Sequence, residues 1–258
     1  MSREVEMKQL LLVCDLDNTV LYSYHQKQPG DVCVERVEER EQGFMPLKAF
    51  RLLDALWDKI CFVPVTTRSM EQYQRIQWPK KQVPELAFTD NGAVLLRNGH
   101  PDAEWARHSR SLAQKYTPAM REIQPVLSSR DGIISCRMVD GLFLYAHFRT
   151  EEAAAAAAWP YWNQTVLRLY HSGRKLYFLP PGIDKGAAVK RLRIEREQSL
   201  IVCAGDSEMD VPMLESADLA LLPAEGIPSF PSGRACCRCP ASVSFPEFVF
   251  SCAQSLLK

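Results

Sequence analysis

The stretch DLDNT, residues 15–19, sets Asp15 and Asp17 one residue apart, just after the apolar run that ends at Cys14. Two carboxylates so placed can divide a reaction between them. One attacks an electrophile as a nucleophile, and the other donates or accepts a proton. Three more polar clusters complete a set: Thr66-Thr67-Arg68 after CFVPV, Lys185 within PPGIDKGAAV, and Asp206 with Asp210 in GDSEMD after LIVCA. Several carboxylates around one crevice form a hard oxygen site suited to Mg²⁺, which keeps waters and recruits phosphate oxygens. A lysine and a hydroxyl beside them would hold phosphoryl oxygens as charge redistributes.

Taken singly, each cluster has a plainer explanation. A DxD pair also suits a solvated loop or a helix cap, Thr66 a turn, Lys185 an exposed surface, and Asp206 the cap of a helix starting near Ser207. Their joint order carries the argument, and it depends on the elements that position them.

Residues 9–14 read as a buried strand, 46–58 as an amphipathic helix with Leu47, Phe50, Leu53 and Leu56 or Trp57 on one face, and 60–65 as a second buried strand. A short polar helix follows from about 69. ELAFTD and AVLL flank Asn91 and Gly92, which suit a tight turn. Towards the end, 184–196 reads as a helix, SLIVCAGD as a strand, 208–215 as a helix, ADLALL as a strand and FPEFVFSCAQSLL as a final helix. Alternating strands and helices imply a Rossmann-like α/β core, a parallel sheet covered on both faces. In such sheets ligands bind outside the carboxyl ends of the strands, where all four polar clusters fall.

The middle breaks the pattern. A helical stretch over 102–127 precedes two alternating runs joined at Asp140-Gly141, a hairpin signal. TEEAAAAAA reads as a helix with Thr150 as N-cap and acids in its first turn. TVLRLYHSGRKLYFLP reads as a second hairpin around Ser172-Gly173. This is an inserted α+β layer. Residues 25–43, charged and holding Pro29, Gly30 and Gly43, read as a flap or long loop.

Composition excludes other classes. The 258 residues are 47% hydrophobic and 24% charged, enough for a core domain with a sizeable insertion. Lys plus Arg and Asp plus Glu number 31 each, so no bulk charge draws nucleic acid or an anionic membrane, and no nucleic-acid motif appears. No apolar stretch approaches the ~20 residues of a membrane span. The polar, acid-bearing MSREVEMKQ does not resemble a signal or transit peptide. Of nine cysteines, Cys14, Cys61 and Cys203 sit in apolar runs as small hydrophobes. The CCRC cluster of Cys236, Cys237 and Cys239 lacks paired CxxC spacing and a nearby His, which argues against zinc. An odd count points to a reducing cytoplasm.

DLDNT, the threonine after CFVPV, the lysine of PPGIDKGAAV and GDSEMD together resemble the four motifs of the haloacid dehalogenase-like phosphohydrolases. The insertion and the TDNGAVL turn resemble the subfamily with a C2B-type cap, which includes sucrose-phosphate phosphatase, mannosyl-3-phosphoglycerate phosphatase and phosphomannomutase. The resemblance implies a catalytic core over 1–97 plus 175–258 and a cap over 98–174. It implies a Mg²⁺-dependent phosphatase acting on a small phosphorylated metabolite, a sugar phosphate foremost, through an aspartyl-phosphate. Asp15 would be nucleophile and metal ligand. Asp17 would be general acid/base and lend the metal its backbone carbonyl. Thr66 would hydrogen-bond the phosphoryl group and Lys185 neutralise it. Thr67, Arg68, Asn91 and Gly92 would border the substrate, Asp206 would bind the metal, and Asp210 would support the metal or Lys185. A phosphomutase, or a catalytically weak metabolite-binding protein on the same fold, is the alternative; the sequence sets no oligomeric state.

Two residues depart from the family pattern. Thr67 stands where TGR has glycine, and Met209 where GDxxND has asparagine. Methionine lacks the amide donor, and position 209 is expected beside the phosphate crevice. In the cap, Arg137, His147, His171 and Lys175 are candidates to face substrate or simply to line a solvated sheet edge, whereas Trp159 and Trp162 are expected to pack.

Overall fold

The strand Leu10–Cys14 is buried along its whole length because it has a parallel neighbour on each side. Leu200–Ala204 pairs with it in the register Leu12 to Val202, and Cys61–Pro64 in the register Leu12 to Phe62. The computed structural model describes residues 9–163, 166–197 and 199–257. The polar N-terminus up to Lys8, and Thr165 at the head of the second expected hairpin, lie outside the described residues. Among the described residues the parallel sheet runs Cys236–Arg238, Leu219–Leu222, Leu200–Ala204, Leu10–Cys14, Cys61–Pro64. Later strands lie on both sides of Leu10–Cys14, so its neighbouring connections diverge and open a crevice at its carboxyl end.

The chain divides into two compact units, Met1–Pro101 with Lys185–Lys258, and Asp102–Asp184. In the first, Leu10, Leu12, Leu53, Phe62, Val249 and Phe250 belong to one apolar core. Helix Leu47–Leu56 begins after Pro46 and buries Ala49, Leu53 and Leu56, one stripe at helical spacing. Leu47 is exposed instead of sharing that stripe, because it occupies the first turn, 100° or more off its axis by helical geometry of about 3.6 residues per turn. The expected loop over 25–43 is largely a hairpin, Val32–Val37 with Arg40–Met45, to which Tyr22–Ser23 adds a third strand. Register shifts at Glu35 break its alternation, and its charges pair locally, Arg36 and Lys27 both with Glu41. Leu86–Thr89 and Val94–Arg97 pair around Asp90-Asn91-Gly92, where all three residues have positive φ.

The unit Asp102–Asp184 has two helices, Ala103–Gln114 and Thr117–Ser128, where one helical stretch was expected. The second helix restarts with Pro118 in its first turn, a position that proline suits. An antiparallel sheet runs Arg168–Ser172, Lys175–Leu179, Phe143–Phe148, Ile133–Val139. Lys175–Leu179 thus lies in this unit. Asp140 and Gly141 both have positive φ, as a type I′ turn requires. Thr150 caps helix Glu151–Ala158 by accepting from the Ala153 N–H at 3.2 Å. Met120, Leu127, Leu144, Phe148, Leu176 and Phe178 fill the space between helices and sheet. Trp159 and Trp162 do not pack as expected: both are exposed, Trp159 at 78%. Trp159 opens a short 3₁₀ turn and Trp162 follows it, while Tyr161 within the turn lies edge-on to Phe178 at 5.3 Å.

Candidate active site

Asp15 takes its place from the strand before it. Its N–H donates to the Ala204 carbonyl at 2.9 Å, so the first residue past Leu10–Cys14 is still held by the neighbouring strand. That neighbour ends at Ala204, and Gly205 and Asp206 follow, which brings two distant sequence segments side by side. Lys185 opens the helix Lys185–Glu195 and reaches both acids of a pair. Its Nζ lies 2.5 Å from Asp15 Oδ1 and 2.6 Å from Asp210 Oδ1. Asp15, Asp206 and Asp210 each present a carboxylate oxygen within 4.8 Å of the others.

Burial makes this cluster electrostatically demanding. Asp15 is 7% exposed and Lys185 2%. Removal from water pushes the Asp15 carboxyl well up from its ordinary value, Lys185 pulls it back, and Asp210 and Asp206 push it further up. Burial alone would discharge Lys185, yet the Asp15 and Asp210 carboxylates outweigh it and raise its pKa. Burial, then Asp210, lift Asp206 to about 6. Three acids therefore share one ammonium where water is scarce. An all-oxygen donor set with unbalanced negative charge fits a hard divalent cation such as Mg²⁺. Asp210 is already well supplied: its Oδ2 accepts from the Asp206 N–H, the Ser207 N–H and the Ser207 hydroxyl at 3.2, 3.0 and 2.7 Å. It anchors the loop and Lys185.

Thr19 belongs here too, although sequence reasoning gave it no role. It is fully buried and its hydroxyl reaches Asp206 Oδ1 at 3.0 Å and Asp15 Oδ2 at 3.5 Å. The signal was its position within DLDNT, four residues after Asp15 and able to turn back towards it.

Asp17 is placed differently from Asp15. Its side chain is 53% exposed and takes a two-point pairing from Arg68, Nε to Oδ2 at 3.0 Å and Nη2 to Oδ1 at 2.7 Å. The Asp17 carboxylate is not one of the three clustered acids. Arg68 also gives Nη1 to Glu35 Oε2 at 2.8 Å, so its guanidinium serves other side chains of the unit. Glu35 lies within residues 25–43, whose sequence reads as a flap or long loop and so gives no sign of its contact with Arg68.

Thr66 is buried, with its hydroxyl oxygen accepting from the Arg68 N–H at 3.1 Å and its carbonyl from the Asn91 N–H at 2.8 Å. Asn91 is buried in left-handed conformation, and its Oδ1 has no hydrogen-bond partner among the described residues. Gly92 continues that turn, and Thr67 is partly buried. Met209 is buried on the 3₁₀ turn Glu208–Asp210, 7% exposed, as an apolar side chain on a tight turn should be.

Two glycines permit the close approach of these segments. A Cβ on Gly205 would lie 2.4 Å from Asp210 Cβ, and one on Gly186 would lie 2.3 Å from the Pro212 carbonyl oxygen. In the other unit, Arg137 lies across from Tyr145 and His147 from Lys175, all on the sheet face away from the helices. His171 lies across from buried Leu176 and so does not share that face.

No protein-family model matches the sequence, and no curated protein matches it. Solved structures do. The sucrose-phosphatase of Synechocystis sp. PCC6803, solved with sucrose and phosphate, superposes with a TM-score of 0.59 at 17% identity, over 96% of this chain and 98% of that one. The C-terminal domain of C. albicans trehalose-6-phosphate phosphatase gives 0.60 at 14% identity, over 97% and 92%. A haloacid dehalogenase-like hydrolase from B. subtilis gives 0.55 at 16% identity, over 93% and 99%. The chain shares the haloacid dehalogenase-like fold with these proteins.

Proposed function

We propose that this chain is a Mg²⁺-dependent phosphomonoester hydrolase acting on a small phosphorylated metabolite, a sugar phosphate foremost, through an aspartyl-phosphate on Asp15. The observation that carries the reading is the cluster of Asp15, Asp206, Asp210 and Lys185, all but Asp206 buried, at the carboxyl ends of Leu10–Cys14 and Leu200–Ala204. The fold shared with sucrose- and trehalose-6-phosphate phosphatases adds support for the reaction class and for a sugar phosphate as substrate.

Asp15 and Asp206 would hold Mg²⁺, with the Asp17 carbonyl as a further ligand. Bound there, Mg²⁺ would offset the surplus negative charge and polarise the phosphoryl oxygens. Lys185 engages Asp15 Oδ1, and Oδ2, which accepts from the Thr19 hydroxyl at 3.5 Å, is the oxygen that would attack phosphorus. The P–O bond to the leaving group breaks, and its electron pair leaves on the ester oxygen, which takes a proton from Asp17. Lys185 and the Thr66 hydroxyl steady the phosphoryl oxygens. Asp17 then removes a proton from water as that water attacks phosphorus, releasing phosphate and restoring Asp15. Residues 102–184 would serve as a C2B-type cap. No helix among the described residues is long and apolar enough to cross a membrane, and the nine cysteines are free thiols, which fits a reducing cytoplasm.

The test is a panel of phosphorylated metabolites assayed for phosphate release and for isomer formation. Phosphate release that EDTA abolishes and Mg²⁺ restores is expected. Full activity in thoroughly metal-free protein would overturn the metal's part, and isomer formation without phosphate release would mark a mutase.

A further inference from the structure

The first unit holds an open cavity of about 460 Å³ with Asp206 in its wall. Segments far apart in sequence form the rest of it. They are the turn after Asp15 with strand Tyr22–Ser23, the loop that follows Leu219–Leu222, and the segment that leads into helix Phe245–Ser255. A concave space of this size beside a reactive cluster is suited to a small molecule.

Internal hydrogen bonds shape two of these walls. The Gln26 side-chain carbonyl accepts from both the N–H and the hydroxyl of Ser23 at 3.2 Å, and its amide donates to Asn18 Oδ1 at 3.1 Å. The Asn18 amide thus spends its acceptor and, among the described residues, keeps its N–H₂ group as a donor. Opposite, the Gly226 N–H closes a turn onto the Pro223 carbonyl at 3.0 Å. Its positive φ calls for glycine, and so does Arg238, whose Nη2 lies 2.7 Å from where a Cβ would stand. The Ser229 hydroxyl donates to Glu208, which ties this loop to the turn that carries Asp210. Walls held in this way lose little freedom when a ligand arrives.

The lining selects by charge. Among the described residues that line the cavity there is no lysine or arginine. Arg238 stands behind Gly226, with its Nη1 on the Glu225 carbonyl at 3.5 Å. Two carboxylates, Asp206 and Glu225, belong to the lining, so an anionic group placed there would meet like charge. The other polar groups are neutral: the amides of Asn18 and Gln26, the Tyr22 phenol and the Ser244 hydroxyl. Together they offer both donors and acceptors, as the hydroxyls of a polyol require. Val243 and Phe245 add apolar surface for its C–H edges.

Resting on the reading of Asp15 as the nucleophile toward a phosphate ester, we propose that this cavity receives the leaving group, and that the leaving group is an uncharged polyol such as a sugar. Asp206 is shared between the cavity wall and the cluster, where its carboxylate oxygen lies within 4.8 Å of one on Asp15. A phosphoryl group held at Asp15 therefore has the cavity as its neighbour. Substrate choice then lies partly in the strand-end unit itself, with Gln26 and Glu225 as specificity-determining residues.

Acetyl phosphate separates the cavity from the reaction, because its acetate is too short to reach along these walls. Ala241 is an exposed residue of the lining, and Ala241→Trp places a bulky ring there. Glucose 6-phosphate, sucrose 6-phosphate and trehalose 6-phosphate serve as the polyol esters, with Mg²⁺ present. On whichever of them the unaltered protein hydrolyses best, Ala241→Trp should lower kcat/KM at least about tenfold, chiefly through KM. On acetyl phosphate the loss should be less than about threefold. Melting temperatures accompany the kinetics; if Ala241→Trp fails to fold, Glu225→Ala carries the comparison with the same expected split. In the unaltered protein these esters should also exceed 6-phosphogluconate and 3-phosphoglycerate, whose leaving groups carry a carboxylate. Equal losses on the two kinds of substrate, no loss on the polyol ester, or a preference for the acidic esters would overturn the proposal. Hydrolysis of acetyl phosphate and of no polyol ester would overturn it as well, and leave the reaction class standing. If the unaltered protein hydrolyses none of these compounds and no member of the metabolite panel, the phosphatase reading falls and takes the proposal with it.

Discussion

The inserted unit and the strand-end cluster spend their sequence in opposite ways. In Asp102–Asp184 apolar side chains fill the space between helices and sheet, and Asp140-Gly141 and Thr150 follow local turn and capping rules. At the ends of the parallel strands, Asp15, Asp210 and Lys185 are withdrawn from water and depend on one another. Replacing such a buried set with apolar groups often leaves a protein as stable or more so. The first region is organised for folding. The second accepts unfavourable burial of charge, the mark of a site organised for chemistry.

Asp15 is where the contrast can be broken most plainly. Asp15→Asn should reduce phosphate release to below about a tenth of the unaltered rate, since an amide is a poor nucleophile. Its melting temperature should hold or rise, because the surroundings already favour an uncharged group at position 15. A variant that keeps its activity, or loses both activity and stability, would contradict the contrast.

Glycines in the two regions sharpen it next. Gly186→Ala drives a methyl against the Pro212 carbonyl and should cost about 3 kcal/mol. Gly141→Ala has open space around it and only its positive φ to resist the change, so about 1 kcal/mol is expected. Urea unfolding measures both. Equal costs would mean that the strand-end loops are no more tightly built than a surface hairpin.

Met209→Asn comes third. A buried methionine replaced by an amide without partners should lose about 1–3 kcal/mol, read in the same urea titration. No loss, with tighter Mg²⁺-dependent vanadate binding, would place the side chain against bound phosphate.

The smallest signal is in pH. In metal-free protein the raised Asp206 pKa means that the folded state holds a proton between about 4 and 6 that the unfolded chain has released. Asp206 therefore adds stability as pH falls through about 6. Glu41, stabilised by its hydrogen bond from Lys27, and Glu152, by a backbone hydrogen bond, lie below their ordinary values and act in the opposite sense at lower pH, which shrinks the net slope. Comparing melting temperatures of the unaltered protein and Asp206→Asn across this range isolates the effect. Identical profiles would contradict it.

Much of this was legible because it is local or periodic. The buried strand before Asp15, the Asp140-Gly141 hairpin and the Thr150 cap follow from adjacent residues. Motif order at successive strand ends picked out Asp15, Lys185, Asp206 and Asp210 before any distance was known. What escaped depends on tertiary partners. Glu35 sits in a strand whose pairing is broken by register shifts, and its contact with Arg68 is made only by tertiary packing. Thr19 looked like the end of a motif until its hydroxyl was seen between two acids. Trp159 was expected to pack because large aromatics usually do, but a 3₁₀ turn directs it outward.

The most direct test of Asp15 as nucleophile is to quench turnover of a phosphorus-labelled ester in acid and map the label on the protein. Label on the peptide containing Asp15, released by hydroxylamine as an acyl phosphate should be and absent from Asp15→Asn, is the predicted result. Turnover that leaves no label on Asp15, or label on another residue, would contradict it.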